Sequence, residues 1–348
     1  MSVAATAPAH GAPRAGEPLL EVRGLTVSIG RGPDALTAVR GIDLTLQRGE
    51  SLGLVGESGA GKSLSMLSVT SLLPRGARVG GSVRLEGREL IGLRSRELRR
   101  VRGAEIGMVF QDPMTSLNPV FTIGRQVEEA IRIHQPGLSR SEVAKAAVAL
   151  LAAVAIPAPR ERLHSYPFEL SGGMRQRVMI AIAIANNPKL LIADEPTTAL
   201  DVTIQAQILD LLRRLAAERE MALVLITHDL GVIAGMVDRV AVMYAGRVVE
   251  ERTTAELFAS PRHPYTKALL SCIPRADRPD ARVLGIPGSP ATLRPPPPGC
   301  AFAPRCPDAV DACHEVDPAL EGEPGARIAC LVASGRVAAT RPGEPGPR

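Results

Sequence analysis

Apolar positions along this chain fall into two periods. Short, near-continuous apolar runs recur at "LGLVG" (52–56), "KLLIADEP" (189–196) and "LVLITHD" (223–229), each stopping at glycine, acids or histidine. Runs of that length predict buried parallel strands whose carboxyl ends open onto one edge of a sheet. Elsewhere "TIGRQVEEAIRIH" (122–134) and "SRSEVAKAAVALLAAVAI" (139–156) repeat apolar residues near 3.6-residue spacing and predict helices. Residues 19–110 alternate strand and turn before a charged helix, "RSRELRRVRG" (94–103), and residues 112–170 read as mostly helical. From 171 to 250 helix and strand alternate again, as a parallel sheet needs. The expected fold class is α/β.

The longest apolar runs, such as "VMIAIAIA" (178–185), fall well short of the roughly 20 residues that cross a bilayer. The first 18 residues are rich in Ala, Pro and Gly and lack the basic and apolar regions of a signal peptide, so a disordered tail and a cytoplasmic protein are expected. The net charge of +5 would suit nucleic acid. Yet the positive charge is nearly all arginine scattered among acids, with aromatics at 2%. No nucleic-acid partner is expected.

Chemistry enters at "GESGAGKS" (56–63), which fits G-x-x-x-x-G-K-[ST] between an apolar strand and an amphipathic helix. Gly56, Gly59 and Gly61 let backbone N–H groups from Glu57 through Ser58 and Ala60 to Ser63 turn inward around phosphate oxygens. The helix N-terminus adds its positive end. Lys62 would reach the β- and γ-phosphates, and the Ser63 hydroxyl would bind Mg²⁺. The second strand ends at Asp194-Glu195, where an α/β sheet binds ligands. Asp194 is placed to hold Mg²⁺, and Glu195 to orient and polarise an attacking water.

Between these sites, "ELSGGMRQR" (169–177) opens a helix. With the phosphate loop, it resembles the signature of ATP-binding cassette (ABC) ATPases, with Met174 where glutamine is commonest. The resemblance implies a P-loop NTPase fold with a parallel-sheet core, an antiparallel β-subdomain and a helical subdomain. It implies that Ser171, Gly172 and Gly173 contact the γ-phosphate held by an opposite subunit. It makes Gln111, in "MVFQDP", a sensor of Mg²⁺ and water, Asp201, in "TTALD", part of a loop crossing the dimer interface, and His228 a γ-phosphate contact. The aromatic that usually stacks on adenine is missing near "VSIGRGPDAL" (27–36), leaving Ile29 as its replacement.

Three longer stretches, "FQDPMTSLNPVFTIGRQV" (110–127), residues 166–212 and "SPRHPYTKALL" (260–270), narrow the resemblance to ATP-binding subunits of bacterial oligopeptide/dipeptide (and nickel) importers. It implies ATP and Mg²⁺, a second homologous ATPase subunit (a heterodimer), two integral-membrane permeases and an extracytoplasmic substrate-binding protein. The chain would sit at the cytoplasmic face of the cell membrane. The alternatives are the same role for nickel or another small solute, a non-transport ABC ATPase acting on nucleic acid or the ribosome, and a regulatory module that retains nucleotide. One cassette without sustained heptads argues against the second, and intact Glu195 and His228 argue against the third.

The expected division is a tail at 1–18, the ATPase at 19–261 with its helical subdomain at about 112–170, an extension at 262–330 and a disordered tail at 331–348. The extension is too proline-rich for regular structure. It holds Cys300, Cys306, Cys313 and Cys330, spaced C-x5-C-x6-C-x16-C. Disulfides are disfavoured in a reducing compartment. Four thiolates could hold Zn²⁺ or an iron–sulfur cluster, or remain reduced buried thiols. The spacing lacks the paired C-x2-C of zinc sites, and the resemblance also points to a 4Fe–4S cluster. Cys272 is expected as a small core residue, and His314 as a less favoured ligand.

Overall fold

The computed structural model describes residues 17–32, 35–112, 116–198, 200–273, 285–289, 291 and 296–338. Most of the two expected tails (1–16 and 339–348), Pro113 to Thr115 of "DPMTSLNP", Ala199 of "TTALD" and most of the proline-rich 274–295 lie outside the described residues.

Eleven strands are described: β1 (Leu20–Ile29), β2 (Leu36–Leu46), β3 (Ser51–Val55), β4 (Ala77–Leu85), β5 (Arg88–Glu89), β6 (Ile106–Val109), β7 (Leu190–Asp194), β8 (Ala222–Thr227), β9 (Arg239–Tyr244), β10 (Arg247–Thr253) and β11 (Ala326–Ile328). They form an antiparallel sheet in the order β2-β1-β4-β5 and a larger one in the order β11-β10-β9-β3-β8-β7-β6. The run from β9 to β6 is parallel throughout, whereas β10 and β11 are antiparallel. Parallel strands covered on both faces need apolar residues at every position, which is why β7 and β8 read as unbroken hydrophobic runs. On one face, Leu52, Leu54, Ile192, Val224 and Ile226 pack with residues of β1, β2 and β4. On the other, Leu191, Leu223, Leu225 and Val242 pack with Val178 and Leu212 and with the helices between 123 and 154.

The expected helices appear at Ser95–Val101, Ile123–His134 and Arg140–Ala153, the last opened by a capping box in which Ser139 and Glu142 satisfy each other's backbone amides.

Across the expected boundary at 261/262 the chain stays packed on the ATPase sheet. Tyr265, on the helix Pro264–Ser271, is fully buried in the same apolar core as the ATPase sheet, and β11 extends that sheet beyond β10. Within the segment 331–348, expected to be a disordered tail, residues 331–337 form turns, with Leu331 buried against Ala303 and Cys313.

Two adjacent acids of β10 join the extension to the core. Glu250, fully buried, accepts backbone N–H groups of Arg262 and His263 at 2.8 and 2.9 Å. Glu251, equally buried, accepts from the guanidinium groups of Arg239 and Arg327 and from Gly325 N–H. Removing a buried acid strands its cations, a loss of about 3–5 kcal/mol. Glu251→Ala is expected to lower unfolding stability by about 3 kcal/mol or more in urea and to expose the chain around 320–330 to limited proteolysis. Wild-type stability and cleavage would show that this network does not anchor the extension.

Candidate nucleotide site

Strand β3 runs into residues 56–61, which turn sharply before the helix Lys62–Val69. Two glycines make this turn possible. A Cβ on Gly56 would lie 2.1 Å from the Met243 carbonyl oxygen, and one on Gly61, at φ 96°, 2.5 Å from that of Ala38. The loop is thus pressed between β9 and β2, with no room for a side chain at either position.

The loop floors a cleft of about 740 Å³ lined by Leu36, Ala38, residues 57–64, Gln111, Glu195, Thr198, His228 and Leu269. The structure therefore gathers the phosphate loop, both ends of the glutamine-to-histidine set and Glu195 in one place. Lys62 is buried and folds back on the carbonyls of Gly56 and Glu57 at 2.8 and 3.0 Å. Burial lowers its pKa, opposed by the charges of Glu195, Asp194 and Glu57. Ser63 Oγ donates to Asp194 Oδ1 at 2.9 Å. Burial raises the pKa of Asp194, as does the neighbouring Glu195, while Ser63 and Lys62 act against the rise. A hydroxyl and a buried carboxylate side by side, facing a phosphate cradle, are a donor set suited to Mg²⁺.

Glu195 sits just past β7 with φ 45°, a left-handed conformation that costs a non-glycine residue energy. Three groups hold its carboxylate. Gln111 Nε2 and Thr198 Oγ1 each donate to Oε2 at 3.0 Å, and His228 Nδ1 lies 3.2 Å from Oε1. Gln111 and His228 are themselves exposed, whereas the Glu195 side chain they hold at the cleft is 15% exposed.

Other expected residues take different places. The Glu57 N–H donates to Tyr265 Oη at 2.8 Å, so it is already used and the amides available to phosphate begin after it. Ile29 is not a lining residue of the cleft; its register partner Leu36 is. Ser171, Gly172 and Gly173 stand outside this cleft, where Ser171 caps the helix Gly172–Ala183 by accepting from Met174 N–H. Gly173 is held close to the helix Val202–Glu218, since a Cβ there would meet Ile204 at 2.7 Å. Asp201 caps that same helix through Ile204 N–H. Sequence reasoning did not single out Thr198, Tyr265 or Arg305. The first lies in "TTALD" and the second in "HPYTKALL", but nothing in their spacing marks an orienting hydroxyl or a phosphate-loop partner.

The four cysteines of the extension converge. Cys300, Cys306, Cys313 and Cys330 line one small cavity of about 20 Å³ together with His263 and Phe302, whereas His314 lies exposed outside it. Backbone N–H groups point at the sulfurs: Phe302 and Ala303 at Cys300, Asp308 at Cys306, and Ala333 at Cys330. Burial raises the pKa of Cys300 and pushes that of Cys306 up to about 11. Among the described residues, no group of three or more His, Cys, Asp or Glu side chains is arranged to hold a metal ion. The four thiols thus line one narrow pocket without being arranged around a metal position.

Among the described residues, no helix is long and apolar enough to cross a membrane. Residues 39–198 match the family described as "ABC transporter", and residues 249–313 that described as "Oligopeptide/dipeptide transporter, C-terminal region". The oligopeptide transport ATP-binding protein OppD of Salmonella typhimurium is 48% identical over 320 residues, 92% of this chain and 95% of that protein. OppD of Escherichia coli is 47% identical over 331 residues, covering 95% and 98%. Among solved structures, a dimeric ATP-binding cassette in a post-hydrolysis state, bound to ADP and Pi, has a TM-score of 0.61 at 30% identity, covering 68% of this chain and 98% of its own. A cassette from Clostridium perfringens, part of a transporter complex, gives 0.60 at 28% identity, covering 70% and 91%. With relatives at 47–48% identity matched over more than nine-tenths of the chain, and the family models covering the phosphate loop and residues 249–313, the chain belongs to the ABC ATPases, in the branch of oligopeptide/dipeptide transport ATP-binding subunits.

Proposed function

We propose that this chain is the ATP-hydrolysing motor of a peptide importer. The observation that carries the reading is Glu195, held on two oxygens by Gln111, Thr198 and His228 across the cleft from Lys62. Amides after Glu57 and the Lys62 ammonium would take the β- and γ-phosphates once Lys62 leaves the two carbonyls it now holds. Mg²⁺ would be held by Ser63, Asp194 and Gln111, and supplies positive charge against the phosphate oxygens. Glu195 accepts a proton from water as that water's oxygen attacks the γ-phosphorus, and the bond to the β-phosphate oxygen breaks to leave ADP. His228 contacts the γ-phosphate and keeps Glu195 oriented.

Ser171, Gly172 and Gly173 serve a second cassette. They are not among the residues lining this chain's own cleft and stand at a helix N-terminus where Ser171 and Gly172 are exposed, an arrangement suited to a phosphate brought by a partner. Asp201 lies at the same boundary. A related second ATPase would complete the sandwich, with two permeases above it and a binding protein delivering peptide from outside. The similarity to proteins named for oligopeptide transport supports peptide over nickel as cargo.

The four-cysteine pocket holds a thiolate-ligated metal centre, a 4Fe–4S cluster rather than Zn²⁺. The convergence of four thiols, with amide N–H groups aimed at three of them in partial opposition to burial, supports a metal centre, and the absence of paired C-x2-C spacing supports the cluster over zinc. A cluster would require the thiols to part from the narrow cavity they now line. Its role is to staple a proline-rich segment.

Glu195→Gln is expected to bind Mg·ATP as wild type does while its turnover falls by about 10² or more, followed by phosphate release. Near-normal turnover would remove Glu195 as the base. Anaerobic purification is expected to give a brown protein absorbing near about 400 nm, the colour of thiolate-bound iron–sulfur clusters. A colourless protein with stoichiometric zinc would overturn the choice of metal, and a metal-free one the centre itself.

A further inference from the structure

Glu57 is an awkward residue for its position. It follows the first glycine of a loop shaped to receive phosphates, and it lines the cleft. A carboxylate there repels an anionic ligand through a medium of reduced dielectric, where charge interactions are several-fold stronger than in water. The structure shows how the charge is handled. Arg305 of the extension grips both carboxylate oxygens, Nη1 to Oε2 at 2.7 Å and Nη2 to Oε1 at 2.9 Å. This is the bidentate fork that matches guanidinium to carboxylate.

The guanidinium is fully committed. Its other donors reach Tyr244 Oη at 3.2 Å, the Pro287 carbonyl at 2.8 Å and the Ile286 carbonyl at 3.3 Å. With five N–H groups and five acceptors, Arg305 has no freedom to swing to a nucleotide. Its side chain is 4% exposed against 26% for Glu57, so little water screens the pair. The guanidinium also lies beside the Tyr244–Phe302 pair, 5.8 and 5.9 Å from the two ring centroids. The backbone of Glu57 is held from the same side by Tyr265 Oη. The first residue after Gly56 is therefore anchored twice, and both anchors, Tyr265 and Arg305, come from beyond residue 261. Arg305 also precedes Cys306 directly, in the turn Ala303–Arg305 that begins one residue after Phe302.

We propose that Arg305 is a positioning residue for the phosphate loop: it neutralises and pins Glu57, so that the C-terminal extension sets the cleft's affinity for nucleotide triphosphate. The inference rests on the cleft being an ATP site and adds a role for the extension in it. Arg305 touches no phosphate itself. It acts by removing a repulsive charge and by fixing the turn from which the cradle begins.

The test is equilibrium binding of Mg·ATP to the full-length chain, with wild type, Arg305→Met, and Arg305→Met combined with Glu57→Gln. Arg305→Met leaves an uncompensated carboxylate beside the phosphates and is expected to weaken binding about tenfold or more, the weakening shrinking as salt rises. The double variant carries no charge at either position and is expected to recover most of the lost affinity. In turnover assays the single variant raises KM with a smaller effect on kcat. Unchanged affinity in Arg305→Met overturns the proposal. Loss that Glu57→Gln does not rescue also overturns it, since it means the arginine only holds the extension together. If wild type itself binds no Mg·ATP, the nucleotide-site reading fails instead. Arg305→Lys, which keeps the charge without the fork, should fall between wild type and Arg305→Met; affinity no better than Arg305→Met would count against neutralisation.

Discussion

Three carboxylates, Glu57, Asp194 and Glu195, stand around a loop whose backbone is shaped for an anion. Each would oppose that ligand unless its charge were matched or directed, and much of the local structure is devoted to doing so. Asp194 is buried against Ser63 with its pKa raised, next to the place where a divalent cation would sit. Glu195 is pinned by an amide, a hydroxyl and an imidazole. Glu57 is closed off by Arg305. The cation within the loop, Lys62, is bound to carbonyls. It is free of any salt bridge to these acids, so its charge can be redirected to a ligand without breaking an ion pair.

The same economy explains why the extension cannot be a loose appendage. It is sewn to the ATPase sheet by β11, by the buried acids Glu250 and Glu251, by Tyr265 in the main core and by Arg305 at the loop. Burying two adjacent glutamates is costly unless all their oxygens are occupied, and here backbone amides and guanidinium groups occupy them. Cys306 directly follows Arg305, and Phe302, which lines the cysteine cavity, packs edge-on against Tyr244.

Much of this was legible in the sequence. The unbroken runs of β7 and β8 follow from a sheet covered on both faces, and the acids and histidine at their ends mark its working edge. The phosphate loop announces itself because only glycine fits under the Met243 and Ala38 carbonyls. What was not legible depends on distant partners. Nothing within "RVVEERT" itself marks Glu250 and Glu251 as fully buried; residues 262–263 and 325–327 return to them from far along the chain. The Glu57–Arg305 pair joins residues 248 apart in sequence, so no periodicity reveals it. Ile29 is the expected replacement at the base because the stretch 27–36 lacks an aromatic; it is Leu36, its register partner, that lines the cleft.

The most direct test of the account is calorimetric titration of Mg·ATP into the purified full-length chain and its Lys62→Ala variant. The account predicts one saturable site in the wild type and affinity at least about tenfold lower in the variant, since a buried ammonium would no longer meet the phosphates. Equal affinity in the two proteins, or no saturable site in the wild type, would contradict it.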